Sequence, residues 1–198
     1  MTRMWMTAAL TAVVLGIGLT AAAQDTTPAA QQREHGMRGV SGQVISQGEF
    51  VRLISQHHRD GIAMAKIAER RAATPQVRSL ATKIRQAQET ELAEFQAFSQ
   101  RTAATPSGTS GSDVPARLDL AVEMSAAATR SRQRVESASA TAVDVAFVEE
   151  MSKHHQQGID IVSQTTFQDP KLKELAQRMV TSHNRELQEL QNARTTAR

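Results

Sequence analysis

A thirteen-residue segment near the start of the chain occurs again about a hundred residues later, and this repetition narrows the possible folds more than any other feature. The first copy, FVRLISQHHRDGI, spans residues 50–62, and the second, FVEEMSKHHQQGI, spans residues 147–159. Further matches follow downstream, where Pro75, Leu80, Ala81, Glu91 and Leu92 correspond to Pro170, Leu175, Ala176, Glu186 and Leu187. One structural unit is therefore encoded twice.

Each copy has the pattern of a helical hairpin, with apolar residues recurring at helical spacing on both sides of a short break. The predicted helix starts carry capping signals, which are the capping boxes Ser46/Glu49 and Thr141/Asp144 and the pairs Thr74-Pro75 and Asp169-Pro170. A weaker helical pattern over Ala116 to Ser137 predicts a crossover helix between the hairpins. The predicted fold class is all-α: a ferritin-like four-helix bundle from two duplicated helical hairpins, with one crossover helix.

The regions outside the hairpins have their own composition. Residues 1–23 have an early arginine, a short apolar run and a final Ala-Ala-Ala, which predicts a cleaved signal peptide and no membrane anchor after cleavage. The composition of residues 24–45 predicts a disordered tether. The bundle then occupies 46–198, with 46–100 as the first hairpin, 101–141 as linker and crossover helix, and 142–198 as the second hairpin. We expect a periplasmic or secreted protein.

The composition excludes several functions. The chain has no cysteine, which rules out thiol catalysis, disulfides and cysteine-ligated metals. Its net charge is only +3 and no block of basic residues is present, which argues against a nucleic-acid partner. No nucleophile motif, phosphate-binding glycine loop or zinc-protease motif occurs in the sequence.

Polar residues interrupt the apolar face of every helix of the two hairpins. At about 100° per residue, His57 and His154 fall near the centre of their apolar stripes. Their neighbours His58 and His155 fall on the flank, where a side chain can face solvent, which makes them the weaker ligand candidates. Counting from the predicted turns places all the polar interruptions at one height, in a cluster of His57, His58, Gln88, Glu91, His154, His155, His183 and Glu186.

Two interpretations of this cluster remain open. Burying an unpaired imidazole or carboxylate costs roughly several kcal/mol, so the cluster must either satisfy its own hydrogen bonds or bind something. A satisfied His/Glu network that fixes helix register is one interpretation. The other is a metal site, and its expected ligands are His57, His154 and His183 with Glu91 or Glu186.

Two methionines extend the set of candidate ligands. Met64 and Met151 lie in apolar stripes, where a thioether usually fills core space but can also bind a soft metal. The residues alone leave both roles open.

The repeated motif resembles the bacterial family catalogued as domain of unknown function 305, whose hallmark is Phe, a short apolar stretch, His-His, Ile and Met, with a later helix that begins Asp-Pro. It stands here as FVRLISQHHRDGIAM and FVEEMSKHHQQGIDI, with TPQVRSLA and DPKLKELA downstream. The overall plan is also similar to the exported family catalogued as domain of unknown function 4142. Some members of the first family are exported copper-binding proteins that use His and Met. The resemblance therefore implies metal handling, with the motif positions at His57, His58, His154, His155 and Met64.

The available ligands also bear on the chemistry. A di-iron oxidase on such a bundle needs four carboxylates and two histidines, and the predicted helix faces supply only Glu91 and Glu186 centrally. Imidazole-rich sites suit copper or zinc, and copper(II) binds nitrogen and oxygen ligands most tightly. We expect an exported, non-catalytic bundle whose partner is a metal ion, copper first and zinc second. A structural or stress-related envelope bundle with no metal is the alternative, and a dinuclear redox enzyme is a weaker third.

Overall fold

The computed structural model describes residues 44–103 and 114–196. Their helices are α1 (Gln47–Arg71), α2 (Pro75–Ala103), α3 (Val114–Ser137), α4 (Val143–Ser163) and α5 (Pro170–Thr196). No helix in these two ranges combines the length and apolar character needed to cross a bilayer. The predicted signal peptide, residues 24–43 of the predicted tether and residues 104–113 of the predicted linker lie outside the described residues.

Four helices form the bundle and α3 crosses its outside. Helix α1 contacts α2 and α4, and α5 contacts the same two helices, so α1, α2, α5 and α4 close a ring in that order. Helix α3 packs on α1 and α4, across the seam between the two hairpins. The predicted four-helix bundle of two hairpins joined by a crossover helix is therefore confirmed.

Most element boundaries follow the sequence, with small differences at the ends. Helix α2 continues to Ala103, past the predicted end of the first hairpin, and α3 begins at Val114 rather than at residue 116. Ile45, expected to end the tether, is instead 4% exposed and forms a parallel β-bridge with Thr165. The packed part of the chain therefore begins one residue earlier than predicted.

Three of the four predicted capping signals operate as expected. The Ser46 hydroxyl accepts the backbone N–H of Glu49 at 3.4 Å, in the first turn of α1. Helices α2 and α5 begin at the predicted prolines, where Thr74 and Asp169 accept backbone N–H groups of the first turn. These caps satisfy N–H groups that a helix start leaves without partners.

Asp144 binds the turn before α2 and does not cap its own helix. Ala142, at the N-cap of α4, makes no side-chain capping bond, so the predicted capping box of Thr141 with Asp144 is wrong. The Asp144 carboxylate instead accepts the backbone N–H groups of Ala73 and Thr74 at 2.6 and 2.9 Å. The buried carboxylate thereby gains two donors at the start of α2, where the partial positive charge of a helix N-terminus also favours it.

The second hairpin turn has the equivalent contact. The side-chain oxygen of Gln47, in the first turn of α1, accepts the backbone N–H groups of Gln168 and Asp169 at 3.2 and 3.1 Å. Gln47 and Asp144 stand at equivalent positions of the repeat, and so do the two turns that they contact. Each hairpin therefore fixes the turn of the other, as expected for halves related by an approximate two-fold axis.

Polar contacts hold the C-terminal half of α3 on the bundle. The Glu150 carboxylate of α4, 3% exposed, accepts a hydrogen bond from Ser131 at 2.6 Å and pairs with Arg134 at 3.0 Å. The Arg71 guanidinium, at the end of α1, donates to the backbone carbonyls of Val135, Glu136 and Ala138. The crossover helix is thus attached to both hairpins.

Two apolar clusters fill the ends of the bundle. The first apolar cluster lies beside the turn between α1 and α2 and includes Met64, Ala68, Ile84, Phe147 and Leu190. The second apolar cluster lies beside the turn between α4 and α5 and includes Phe50, Ile54, Phe95, Leu172 and Met179. The middle segment of every bundle helix belongs to neither cluster, and this is where the polar side chains stand.

Candidate metal centre

A layer of polar side chains crosses the middle of the bundle between the two apolar clusters. We call it the polar layer, and its members are His57 and His58 of α1, Gln88 and Glu91 of α2, His154 and His155 of α4, and His183 and Glu186 of α5. All are buried except Glu91, whose side chain is 12% exposed. The structure thus brings together the residues that the helix patterns place at one height.

His58 and Glu91 form the first of two equivalent pairs. The Nε2 atom of His58 lies 2.8 Å from Oε2 of Glu91, and its Nδ1 atom lies 2.8 Å from the carbonyl oxygen of Ile54. Because a carbonyl can only accept, Nδ1 carries the hydrogen and donates to it. The ring orientation is therefore fixed by the backbone of its own helix, and Nε2 faces the carboxylate.

His155 and Glu186 repeat this arrangement in the second hairpin. The Nε2 atom of His155 lies 2.6 Å from Oε2 of Glu186, and its Nδ1 atom lies 3.1 Å from the carbonyl oxygen of Met151. Anchoring one ring nitrogen in this way is how proteins orient histidines that bind metals through the other.

The flank position on the helix does not expose His58 and His155. Both rings are 0% exposed, because carboxyl-bearing residues of α2 and α5 and the neighbouring rings cover them. Their burial excludes the solvent-facing position that a helix flank allows, and it removes the reason for ranking them below His57 and His154 as ligand candidates.

His183 lies between the two pairs. Its Nε2 atom is 3.5 Å from Oε2 of Glu91, too long for a well-formed hydrogen bond, and its ring centroid is 4.4 Å from that of His155. Within the described ranges, two groups of three residues each place one potential ligand atom within 4.8 Å of the others. The first triad is His58, Glu91 and His183, and the second triad is His155, His183 and Glu186.

His57 and His154 stack on each other at the seam between α1 and α4. Their ring centroids are 3.7 Å apart and their planes differ by 6°. The His57 ring lies against Gly158, and the His154 ring lies against Gly61, so the contact is reciprocal. Neither ring belongs to a triad, in contrast to the ligand set expected from the sequence.

The polar layer contains buried atoms whose hydrogen-bonding capacity is not used. Among the described residues, no hydrogen-bond partner is within reach of Nε2 of His57, Nε2 of His154, either ring nitrogen of His183 or either amide atom of Gln88. Buried polar groups in folded proteins are almost always paired, and leaving one unpaired costs about 1–3 kcal/mol. The protein folds around a set of donors and acceptors that its own side chains do not satisfy.

The two candidate methionines lie outside the polar layer. Met64 and Met151 are 2% and 0% exposed and belong to the first apolar cluster, where they pack among aliphatic and aromatic side chains. Their packing is that of core residues.

Burial and the neighbouring imidazoles disfavour the charged form of four histidines of the layer. Desolvation, followed by the proximity of other imidazoles, holds the pKa of His57 and of His154 well below the ordinary value. Desolvation likewise lowers the pKa of His155 and of His183 to about 4. A neutral ring keeps a lone pair on one nitrogen, which is the form that binds a metal ion.

The two carboxyls of the layer differ in charge. Burial would raise the pKa of Glu91, but the ring nitrogens of His183 and His58 against its oxygen outweigh burial and lower it to about 2. Burial raises the pKa of Glu186 to about 7. At neutral pH, therefore, Glu91 is ionised, whereas Glu186 is partly protonated, and its protonated form can donate to Nε2 of His155.

These shifts predict that acid destabilises the metal-free protein. A histidine of the unfolded chain has a pKa of about 6.5, so as the pH falls from 6.5 toward 4 the unfolded state binds protons that the buried rings do not. Glu186 acts in the opposite direction, since acidification from 7 to 4.5 favours its folded, protonated form. Four histidines have a lowered pKa and only one carboxyl has a raised pKa, so the histidines dominate. We therefore expect a lower urea midpoint at pH 5 than at pH 7.5. An equal or higher midpoint at pH 5 would contradict these charge states.

Replacing either of two helical glycines by alanine gives a second prediction, in which one variant is stabilised and the other is destabilised. A Cβ atom at Gly61 would collide with the Gln88 amide and the His154 ring, whereas one at Gly48 would meet nothing within 4 Å. Alanine at Gly48 should stabilise the protein by about 0.5 kcal/mol through helix propensity. At Gly61 the same gain is exceeded by an overpacking cost of about 1–3 kcal/mol, so G61A should destabilise. Thermal unfolding of the two metal-free variants measures both, and a G61A variant as stable as G48A would exclude the close approach of the His154 ring.

The helix patterns did not identify the two glycines that lie beside the polar layer. Gly61 and Gly158 each follow one of the two inner histidines, His57 and His154, by four residues and fall at the same place in both copies of the repeat. A repeated glycine inside a helix is a signal of close approach, and here what approaches is the imidazole of the opposite copy.

The family comparison agrees with the geometry. The family described as "Domain of unknown function (DUF305)" matches residues 47–194, which span all four bundle helices and the whole polar layer. The chain is a DUF305 protein. No curated protein matches this DUF305 chain.

Solved structures share the fold of this DUF305 protein. A DUF305 fragment from Deinococcus radiodurans has 19% sequence identity and a TM-score of 0.61, and covers 75% of this chain and 96% of its own. CopM in its Cu(II)-bound form has 21% identity and a TM-score of 0.58, covering 76% and 97%. CopM in its Cu(I)-bound form has 22% identity and a TM-score of 0.55, covering 74% and 93%. At these identities the likeness shows the fold.

Proposed function

We propose that this protein binds a transition metal, with copper first and zinc second, through the two triads of its polar layer. The observation that carries the proposal is the paired arrangement of His58 and His155. Each ring has Nδ1 anchored on a backbone carbonyl and Nε2 directed at a carboxylate, with His183 beside both. A metal ion binds such a set by displacing the hydrogen shared between each Nε2 atom and its carboxylate.

The unused hydrogen-bonding atoms favour a metal over a purely structural polar core. In a satisfied His/Glu network, almost every buried donor and acceptor has a partner. Within the polar layer, only the two His–Glu pairs are satisfied in this way. His183 is not, because both of its nitrogens are buried, Nδ1 has no hydrogen-bond partner among the described residues, and Nε2 has only the long contact with Glu91. A bound cation would use at least one of them.

Copper is the metal that fits this ligand chemistry best. The triads offer imidazole nitrogens and carboxylate oxygens and no thiolate, and copper(II) stands above zinc in affinity for such donors. CopM, which shares the fold, has structures in Cu(I)-, Cu(II)- and Ag-bound forms. We extend copper binding to this chain as part of the proposal.

The proposed role is metal handling outside the cytoplasm, without catalysis. The predicted signal peptide supports export, and the buried layer supports retention of an ion more than turnover of a substrate. The copper ion is cargo in this proposal, and its only partners here are the protein side chains.

Native mass spectrometry of the chain from Gln24 onward tests the proposal. Copper, zinc and iron offered together in equal amounts should leave copper bound in stoichiometric amount, and bound copper should raise the melting temperature because only the folded state binds it tightly. Retention of no metal, with an unchanged melting temperature, would overturn the proposal in favour of a structural bundle. Retention of zinc in preference to copper would overturn the order of metals.

A further inference from the structure

One histidine serves both His–Glu pairs, because the repeat is not symmetric at this position. His183 of α5 stands where the first copy has Gln88, in the same relation to Glu186 as Gln88 has to Glu91. The pair of His58 with Glu91 therefore has no second imidazole from its own hairpin. It is completed by His183 of the other hairpin, which also completes the second triad.

The two nitrogens of His183 differ from those of the other triad histidines. In His58 and His155, Nδ1 is committed to a backbone carbonyl, and only Nε2 is available to a metal. In His183, which is 0% exposed, Nδ1 has no hydrogen-bond partner among the described residues, and Nε2 has only the long 3.5 Å contact with Glu91. A histidine that binds one metal usually donates its other N–H to an anchoring group. His183 has no such anchor in the described part of the chain.

The two nitrogens of the His183 ring also face different hairpins. Its Nε2 atom faces Oε2 of Glu91 at 3.5 Å, on the side of the first hairpin. Its Nδ1 atom is buried beside Gly158 of α4, in the second hairpin, where the absence of a side chain leaves room next to the nitrogen. Potential ligands of both hairpins, His58 with Glu91 and His155 with Glu186, lie within 4.8 Å of a His183 nitrogen.

We propose that His183 bridges two metal ions, one in each triad, as a deprotonated imidazolate. This inference rests on the proposed metal-binding function and adds to it a stoichiometry of two and a specific bridging side chain. The first ion takes His58, Glu91 and one nitrogen of His183. The second takes His155, Glu186 and the other nitrogen.

The charges of the layer suit two divalent ions. Binding of the second ion removes the remaining ring proton of His183, which leaves to solvent, and no change of oxidation state is involved. The four positive charges of two copper(II) ions then face three negative charges, from Glu91, Glu186 and the imidazolate. A net charge of one is less costly to bury than the two that the same ions would leave against the two carboxylates and a neutral His183.

Electron paramagnetic resonance during a copper(II) titration of the exported chain tests the bridge. An imidazolate bridge couples the electron spins of two copper(II) ions, so their signals cancel at low temperature. We expect the signal to rise as the first equivalent binds and to fall below its one-equivalent value as the second binds. Total copper is measured on the same samples after removal of unbound metal.

Two variants assign the coupling to one ring. H183Q places at this position the residue that the first hairpin already carries at Gln88, so the fold has a precedent for it, and circular dichroism checks the helix content. In H183Q the spin coupling should be lost, with every bound copper ion giving its full signal. H57Q removes a histidine that has an open Nε2 atom but belongs to neither triad, and it should keep the coupling.

The outcomes separate the bridge from the function on which it rests. Two bound ions with the full signal of two, or saturation at one ion, would overturn the bridge and leave the metal-binding function standing. Coupling that persists in H183Q would assign the bridge to another group and overturn it as well. Binding of no copper by the wild-type chain would overturn the function itself.

Discussion

Replacing His58 and His155 together by glutamine should abolish stoichiometric copper retention, whereas replacing His57 and His154 together should leave it intact. The first pair supplies the anchored Nε2 atom of each triad, so the double variant weakens both sites at once. Loss of an outer-shell partner alone costs about 10- to 100-fold in metal affinity, and loss of a ligand should cost more. We therefore expect copper affinity to fall at least 100-fold.

The second double variant is a matched control of the same chemistry. It also removes two buried imidazoles, from neighbouring positions of the same helices, and it disturbs the stacked pair at the seam between α1 and α4. Competition titration with a copper chelator measures the affinity of both variants, and thermal unfolding shows whether each one is folded. Equal loss of copper in the two variants would contradict the assignment of the ligands to the triads and favour the inner pair expected from the helix patterns.

Replacing Asp144 by alanine should destabilise the metal-free protein by about 2 kcal/mol. Its carboxylate accepts two backbone N–H groups at the start of α2, and hydrogen bonds to charged groups contribute about 1.5–3 kcal/mol. Water can replace part of this loss, because the turn at Ala73 is exposed. For a domain of this size the melting temperature should fall by about 4–8 °C.

Gln47 provides the control for Asp144, because it makes the equivalent contact in the other half. Its acceptor is a neutral amide, its hydrogen bonds are longer at 3.1 and 3.2 Å, and its site is half-buried. Q47A should therefore cost about 0.5 kcal/mol or less. A D144A variant as stable as Q47A would show that the buried carboxylate contributes nothing beyond a neutral acceptor.

The fold could be predicted from the sequence because its main determinants are local. The prolines at the starts of α2 and α5 and the apolar spacing along each helix specify helix ends and faces without reference to the rest of the chain. The repeat then supplies the pairing of hairpins. Local signals fail at Asp144. Its position in the first turn of α4 is typical of a cap, but its hydrogen-bond partners lie in a turn about seventy residues earlier.

The polar layer could be predicted as a set, but its internal arrangement could not. Helical spacing gives the direction of a side chain relative to its own helix, and it placed His57 and His154 toward the core and His58 and His155 to one side. Which group meets a carboxylate depends on the rotation of the neighbouring helix, and here α2 and α5 turn their glutamates to the flanking rings. The inner rings instead meet each other and the glycines of the opposite copy.

The difference between Gln88 and His183 has a consequence for how such a molecule can evolve. A dimer of identical hairpins would carry the same residue at both places, so that any substitution would appear twice about the axis. When the hairpins are joined in one chain through α3, a substitution in one half no longer appears in the other. Each half can then change alone, and a centre that began with matched sides is free to become lopsided, with a single shared ring at its middle.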